Sequence, residues 1–228
     1  PLTAPPETVR LYYKKLIEAE GQVHPGRSVS LAYLIGPLFQ LAQQRSVESE
    51  PAEENKAALL ALAIYAGDSR IENFIGQVRT DDLKSHKIPF KHILLGRRED
   101  LRLHFVISAA LEIITESGIT FAIGEFKELF DARRGGSGFS FTDLAADITG
   151  KRFAERATDS AMARGMQSVL AGKAFEEDFF PRIHDLPEDL SQAEFEKTYG
   201  SVENERYLSV VRKIEGRISS LRAFTVNN

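Results

Sequence analysis

Cysteine is absent from the 228 residues. That removes disulfides, thiolate zinc sites and thiol nucleophiles, and it suits an oxidising or a reducing compartment equally well. Tryptophan is missing too, and although Phe is plentiful, base-stacking platforms of the single-strand-binding kind have no obvious source. Charge of one sign is not in excess: 33 acids against 29 bases leave no basic stripe of the kind a nucleic acid selects, so no nucleic-acid partner is expected. No run approaches the ~18 uninterrupted apolar residues of a membrane span. The first residue is Pro1 rather than Met, which leaves room for a removed signal peptide, lipoprotein anchor or upstream domain.

What is there is ordinary globular composition, 43% hydrophobic and 27% charged, in a chain long enough for one substantial core. Apolar residues recur at helical spacing, and the long alternation that sheets require is missing. The chain therefore reads as all-α, a single globular domain over 1–228 with about eight to ten helices. N-terminal helices occupy 1–96, a central block 97–165, and C-terminal helices 166–228.

In the first part, helices are expected over 7–20, 30–45 and 52–66. Pro37 lies inside the second, which predicts a kink or break near Gly36. Ser49 reads as an N-cap for the third, whose nearly continuous apolar run makes it central. A short helix over 70–78 and a mixed stretch over 79–95 follow. His24 and His184 read as loop residues. His86 and His92, six apart, share no helical face and are not expected to share a metal. Beyond the block, 153–165 should continue a long helix, 173–180 forms a short one, Ser191 and Glu194 make a capping box, and 201–224 is a last amphipathic helix.

The central block holds polar residues where solvent-facing side chains are not expected. Asp100 and His104, four apart, share a helix face one turn apart. A carboxylate there can orient the imidazole or join it on a metal; the structural reading is an acid favoured by the helix dipole beside a core histidine. A second segment over 119–131 carries Glu128 beside Gly124, and a mid-helix glycine suggests close approach of a neighbour. In the third, Ser140 and Asp143 read as a capping box with Phe139 as its staple. Asp143, Asp147, Gly150 and Ala154 fall on one face, so two acids sit among small residues facing a tightly packed neighbour. Such acids need a cation or proton between them. Arginines (97, 98, 102, 133, 134 or 152) would make the group a salt-bridge core. The other solution is a divalent ion held by His104, Glu128 and Asp147 with Asp143 completing the shell, Mg, Mn, Fe or Ca before a soft metal and zinc also compatible. The loop over 133–138 reads as a flexible connector, or as an anion site at a helix start.

Taken together, these residues resemble a pattern found in VanZ-like membrane proteins and YfiM-like envelope lipoproteins: Asp100 followed by His104-Phe105, then Gly124 with Glu128, then Ser140, Asp143, Asp147 and Gly150. The likeness covers residues 97–152. The family helices are membrane spans, whereas these carry Arg102, Glu112 and Glu116. The resemblance implies a bacterial envelope or periplasmic setting, an envelope-protein or cell-wall partner, and a shared polar cluster. Two functions follow as expectations. One is a divalent-metal-dependent hydrolase with Asp100 orienting His104; the other is a non-enzymatic interaction or scaffold protein in which the cluster is structural.

Overall fold

Proline opens the first helix. Pro5 caps α1 (Pro6–Glu20) in the computed structural model, which describes residues 3–89, 91–118 and 138–226. Pro6 lies in the first turn, where its missing N–H costs nothing. The stripe of Val9, Tyr12, Tyr13 and Leu16 is buried, as its spacing predicts.

Helix α2 (Leu31–Arg45) starts where Ser30 Oγ accepts the Ala32 N–H at 3.1 Å. Of the kink or break expected near Gly36, the break does not occur: α2 is continuous through Pro37. One ladder hydrogen bond is lost, but Leu34, Ile35, Leu38 and Phe39 around it are all fully buried. Gly36 also accepts the Gly172 N–H at 3.0 Å. Packing outweighs the local cost.

Helix α3 (Pro51–Ala66) is apolar on every side and touches α1, α2 and the later helices of the core. Glu50, not Ser49, takes its N-cap position. Ser49 Oγ instead donates to Glu54 Oε1 at 2.6 Å. A 3₁₀ turn (Ser69–Phe74) follows, capped by Asp68 on the Arg70 N–H, and then α4 (Asp81–Lys84).

Two short strands lead to the central block. β1 (Val29–Ser30) pairs in parallel with β2 (Ile93–Leu94), Val29 opposite Ile93. Leu95 and Arg98 then exchange backbone hydrogen bonds across Gly96 (φ 55°) and Arg97 (φ 66°). Two consecutive left-handed residues make this a type I′ turn. It delivers Arg98 as the N-cap residue of α5 (Glu99–Glu116).

Helix α6 (Phe141–Thr158) packs along α5. The pairs Arg98–Thr142, His104–Asp147 and Glu112–Lys151 advance together along both helices, so the two run parallel. Of the three helices expected at the centre, the one over 119–131 lies outside the described residues. Among those described, α3 packs against both α5 and α6.

The helix expected to run on to 165 ends at Thr158. Asp159 leaves helical geometry, and its Oδ1 accepts the Ala161 N–H at 2.7 Å. A new helix, α7 (Ala163–Leu170), begins there. Asn55, fully buried on α3, holds the corner by donating to the carbonyls of Ala157 (2.9 Å) and Ala163 (3.1 Å).

The C-terminal part comprises α8 (Glu176–Phe179), α9 (Gln192–Thr198), α10 (Glu205–Ser219) and α11 (Arg222–Thr225). Both halves of the Ser191–Glu194 capping box are present. The last predicted helix is shorter than expected because Asn204 caps it on the Arg206 N–H and a break follows Ser219. The described residues thus form an all-α domain of eleven α-helices, one more than the upper expectation. Three of them have only four residues each; Glu176–Phe179 lies inside the short helix expected over 173–180, and the other two are too short for periodicity to reveal. A second, smaller apolar cluster of Phe141, Leu186, Tyr199, Ile214 and Ile218 joins α6 to α10. Among the described residues no helix is long and apolar enough to cross a membrane.

Candidate functional site

Arg98 is the hub of the polar group where α5 and α6 begin. Its guanidinium meets Asp100 on two bonds, Nε to Oδ1 at 3.0 Å and Nη2 to Oδ2 at 2.5 Å. Its Nη1 reaches Glu188 and the Thr142 hydroxyl, the latter at 3.3 Å. Asp143 Oδ1 lies 3.6 Å from Nη2. Asp100 and, after it, Glu188 hold the guanidinium well above its ordinary value against the effect of burial. In return Arg98 holds the Asp100 carboxyl below the usual range, despite partial burial.

Asp100 was expected to orient His104. Its two oxygens turn instead to Arg98, and Oδ1 also accepts the Leu101 N–H at 3.0 Å. A first-turn acid beside an arginine two residues earlier finds that pairing at no conformational cost, so the helix-face argument loses to a local one.

Among the described residues, the carboxylate hydrogen bonded to His104 is Asp147. Nδ1 of the ring, which is 7% exposed, lies 3.0 Å from Asp147 Oδ1. The same oxygen accepts from Ser108 Oγ at 2.8 Å. Nε2 faces Asp143 Oδ2 at 3.7 Å. That is too long for a hydrogen bond. A carboxylate on Nδ1 favours the tautomer with the proton there.

Asp143 is half of the expected capping box only. Ser140 Oγ accepts its backbone N–H at 3.3 Å, but the carboxylate points toward His104 and Arg98 rather than back to Ser140. Oδ1 is buried with no hydrogen-bond partner among the described residues. Burial pushes this carboxyl above the usual range, with Asp100 and Asp147 adding to the rise and His104 and Arg98 opposing it.

The structure therefore brings together His104, Asp143 and Asp147, with Asp100 one step away through Arg98. Glu128, the other expected ligand, lies outside the described residues, as do Gly124 and the 133–137 stretch of the loop. Among the described residues no group of three or more histidines and acids is placed to hold a metal ion. Of the other arginines considered, Arg102 reaches the carbonyls of Ile93 and Ala66 and Arg152 pairs with Glu215. Ser108 was missed, though it sits one turn beyond His104 on the same face. Glu188, 90 residues from Arg98, left no sequence signal.

The remaining histidines go elsewhere. His86 Nε2 lies 2.5 Å from the buried Glu20, which also accepts the Tyr65 hydroxyl, while His92 pairs with Glu99. The two have different carboxylate partners among the described residues. His24 and His184 are exposed.

No family model, curated protein or solved structure matches the chain.

Proposed function

We propose that the chain is a divalent-metal-assisted hydrolase acting on an ester, amide or phosphoester. The observation that carries this reading is the His104 arrangement: Nδ1 held by Asp147 at 3.0 Å, Nε2 facing Asp143 at 3.7 Å. A carboxylate behind a histidine fixes the ring and raises its basicity, the usual support of a ligating imidazole. A separation of 3.7 Å suits two bonds of about 2.1 Å each to an intervening ion. An Asp143 Oδ1 that accepts no hydrogen bond among the described residues, and the raised Asp143 carboxyl, fit a group that gains from a cation.

In this reading His104 and Asp143 are ligands, and Asp147 is the residue that positions His104. Glu128 is the third donor expected from the sequence. A bound ion supplies Lewis acidity toward a substrate oxygen and toward water. The chain's own contribution is to fix the imidazole through Asp147 and Ser108, and to supply positive charge at Arg98. The envelope setting belongs to the proposal as well, and rests on the resemblance of the 97–152 block.

A second reading is favoured by Arg98, which ties Asp100, Asp143 and Glu188 together: a structural salt-bridge core in a scaffold protein. Elemental analysis of the purified full chain separates the two. Near-stoichiometric metal that is lost in His104→Ala supports the hydrolase. No metal in either protein, with no thermal shift on adding Mg, Mn or Zn, abandons it for the scaffold.

A further inference from the structure

A cleft of about 810 Å³ opens between the end of α1, the first half of α2 and the 172–176 segment. It shares no lining residue with the group around His104. Its volume falls in the range of pockets that take small organic molecules, roughly 300–1,000 Å³. Ala19, Ala32, Tyr33, Pro37, Ala174 and Phe175 form the apolar part of the wall, and polar side chains, Gln22 and Gln40 among them, line the rest. Phe175 stands at the edge with 43% of its surface in water, although it is a large hydrophobic side chain.

Charge at the cleft is uneven. The ammonium of Lys173 lies over the Phe175 ring, 4.9 Å from its centroid, and makes no ion pair with any described residue. Lys15 pairs with Glu18 at 3.1 Å, but Glu18 faces solvent and such a surface pair contributes little. The neighbouring acid, Glu176, is tied into the fold. Oε1 accepts from Ser30 Oγ at 2.5 Å and Oε2 from the Gly96 N–H at 3.0 Å. Both of its oxygens are thus oriented toward partners in the fold, whereas the Lys173 ammonium rests on an aromatic face at the cleft.

We infer that this cleft binds a small amphipathic monoanion, its apolar body against Tyr33 and Phe175 and its carboxylate on Lys173. An apolar lining with a few convergent polar groups is the form such sites take, and an ammonium–carboxylate hydrogen bond at an apolar wall is stronger than one in open water. The body is an aromatic ring system or an acyl chain; both present the same chemistry to the protein.

Isothermal titration of the full chain with 1-naphthoate and with decanoate tests the assignment, with decanol and decyltrimethylammonium as controls. The expected result is saturable one-to-one binding of at least one carboxylate, and the tighter of the two identifies the body. Lys173→Glu should weaken it by about tenfold or more, and Phe175→Ala should weaken it as well. Lys173 is exposed, so the unliganded variant should keep its melting temperature. The assignment is overturned if neither carboxylate saturates at millimolar concentration, if decanol binds as tightly, or if Lys173→Glu binds unchanged.

Discussion

Gly150 lies against the backbone of Phe105, so close that a Cβ on it would stand 2.1 Å from the Phe105 carbonyl oxygen. Backbone-to-helix contact of this kind sets the spacing of α5 and α6, and with it the reach of His104 to Asp147. In an ordinary helix interior, Gly→Ala stabilises by about 1 kcal/mol. Here Gly150→Ala should destabilise by about 1–3 kcal/mol, because two helices must separate. Urea unfolding decides the sign, and a stabilised variant would refute the close contact.

Asp147→Asn should separate positioning from ligation at His104. If Asp147 holds the ring for a metal, divalent-ion affinity falls by about 10–100-fold while the ion still binds. Asp143→Asn, which removes a donor, should lower it further. Equal losses in both variants would remove the distinction between the two carboxylates. Ion titrations followed by intrinsic fluorescence or calorimetry give the comparison.

Tyr12 donates to Glu54 Oε2 at 2.6 Å, and Arg45 pairs with both oxygens of the same carboxylate. Burial alone would raise the Glu54 carboxyl, but the hydrogen bonds from Arg45, Ser49 and Tyr12 outweigh it and hold it below its ordinary value of 4.5. A carboxyl depressed on folding adds stability that is present above that value and is lost as pH falls through the lower folded one. Melting temperature should therefore drop on acidification below about pH 4.5, and the drop should be smaller in Glu54→Gln. Tyr12→Phe should cost about 1.5–3 kcal/mol at neutral pH. An unchanged acid profile in Glu54→Gln would assign the acid sensitivity to other carboxyls.

Asn55→Ala should cost about 1–3 kcal/mol for each buried group left without a partner. The carbonyls of Ala157 and Ala163 lose this donor, while Gln167 loses the acceptor 2.9 Å from its Nε2 but keeps Ser46 Oγ at 2.8 Å. Hydrogen exchange should rise at the α6–α7 corner first. Protection unchanged there would show that another group holds the corner.

The helices that pack through a long apolar stripe could be read from the chain. So could the small-residue face of α6, where Gly150 and Ala154 pointed to a close neighbour, and the Ser191–Glu194 box. The α6–α7 break could not, because Asp159 acts with the buried Asn55, 102 residues before Ala157, to end what is otherwise good helix sequence. At the site, a shared face correctly joined Asp143 with Asp147, but spacing alone could not choose between His104 and Arg98 as the partner of Asp100. That choice depends on the left-handed turn at Gly96 and Arg97, which aims the guanidinium back across the first turn of α5. Glu188 arrives from a distant loop, and no local pattern marks it.

The Glu176 carboxylate that grips Ser30 and Gly96 has a consequence for the order in which the chain is made. Ser30 and Glu176 are 146 residues apart. At about 5–20 residues per second, synthesis of that interval takes roughly 7–30 s. Until Glu176 is made, the start of α2 and, once it exists, the turn before α5 lack the acceptor that joins them. That junction therefore forms late in synthesis relative to the helices it ties together.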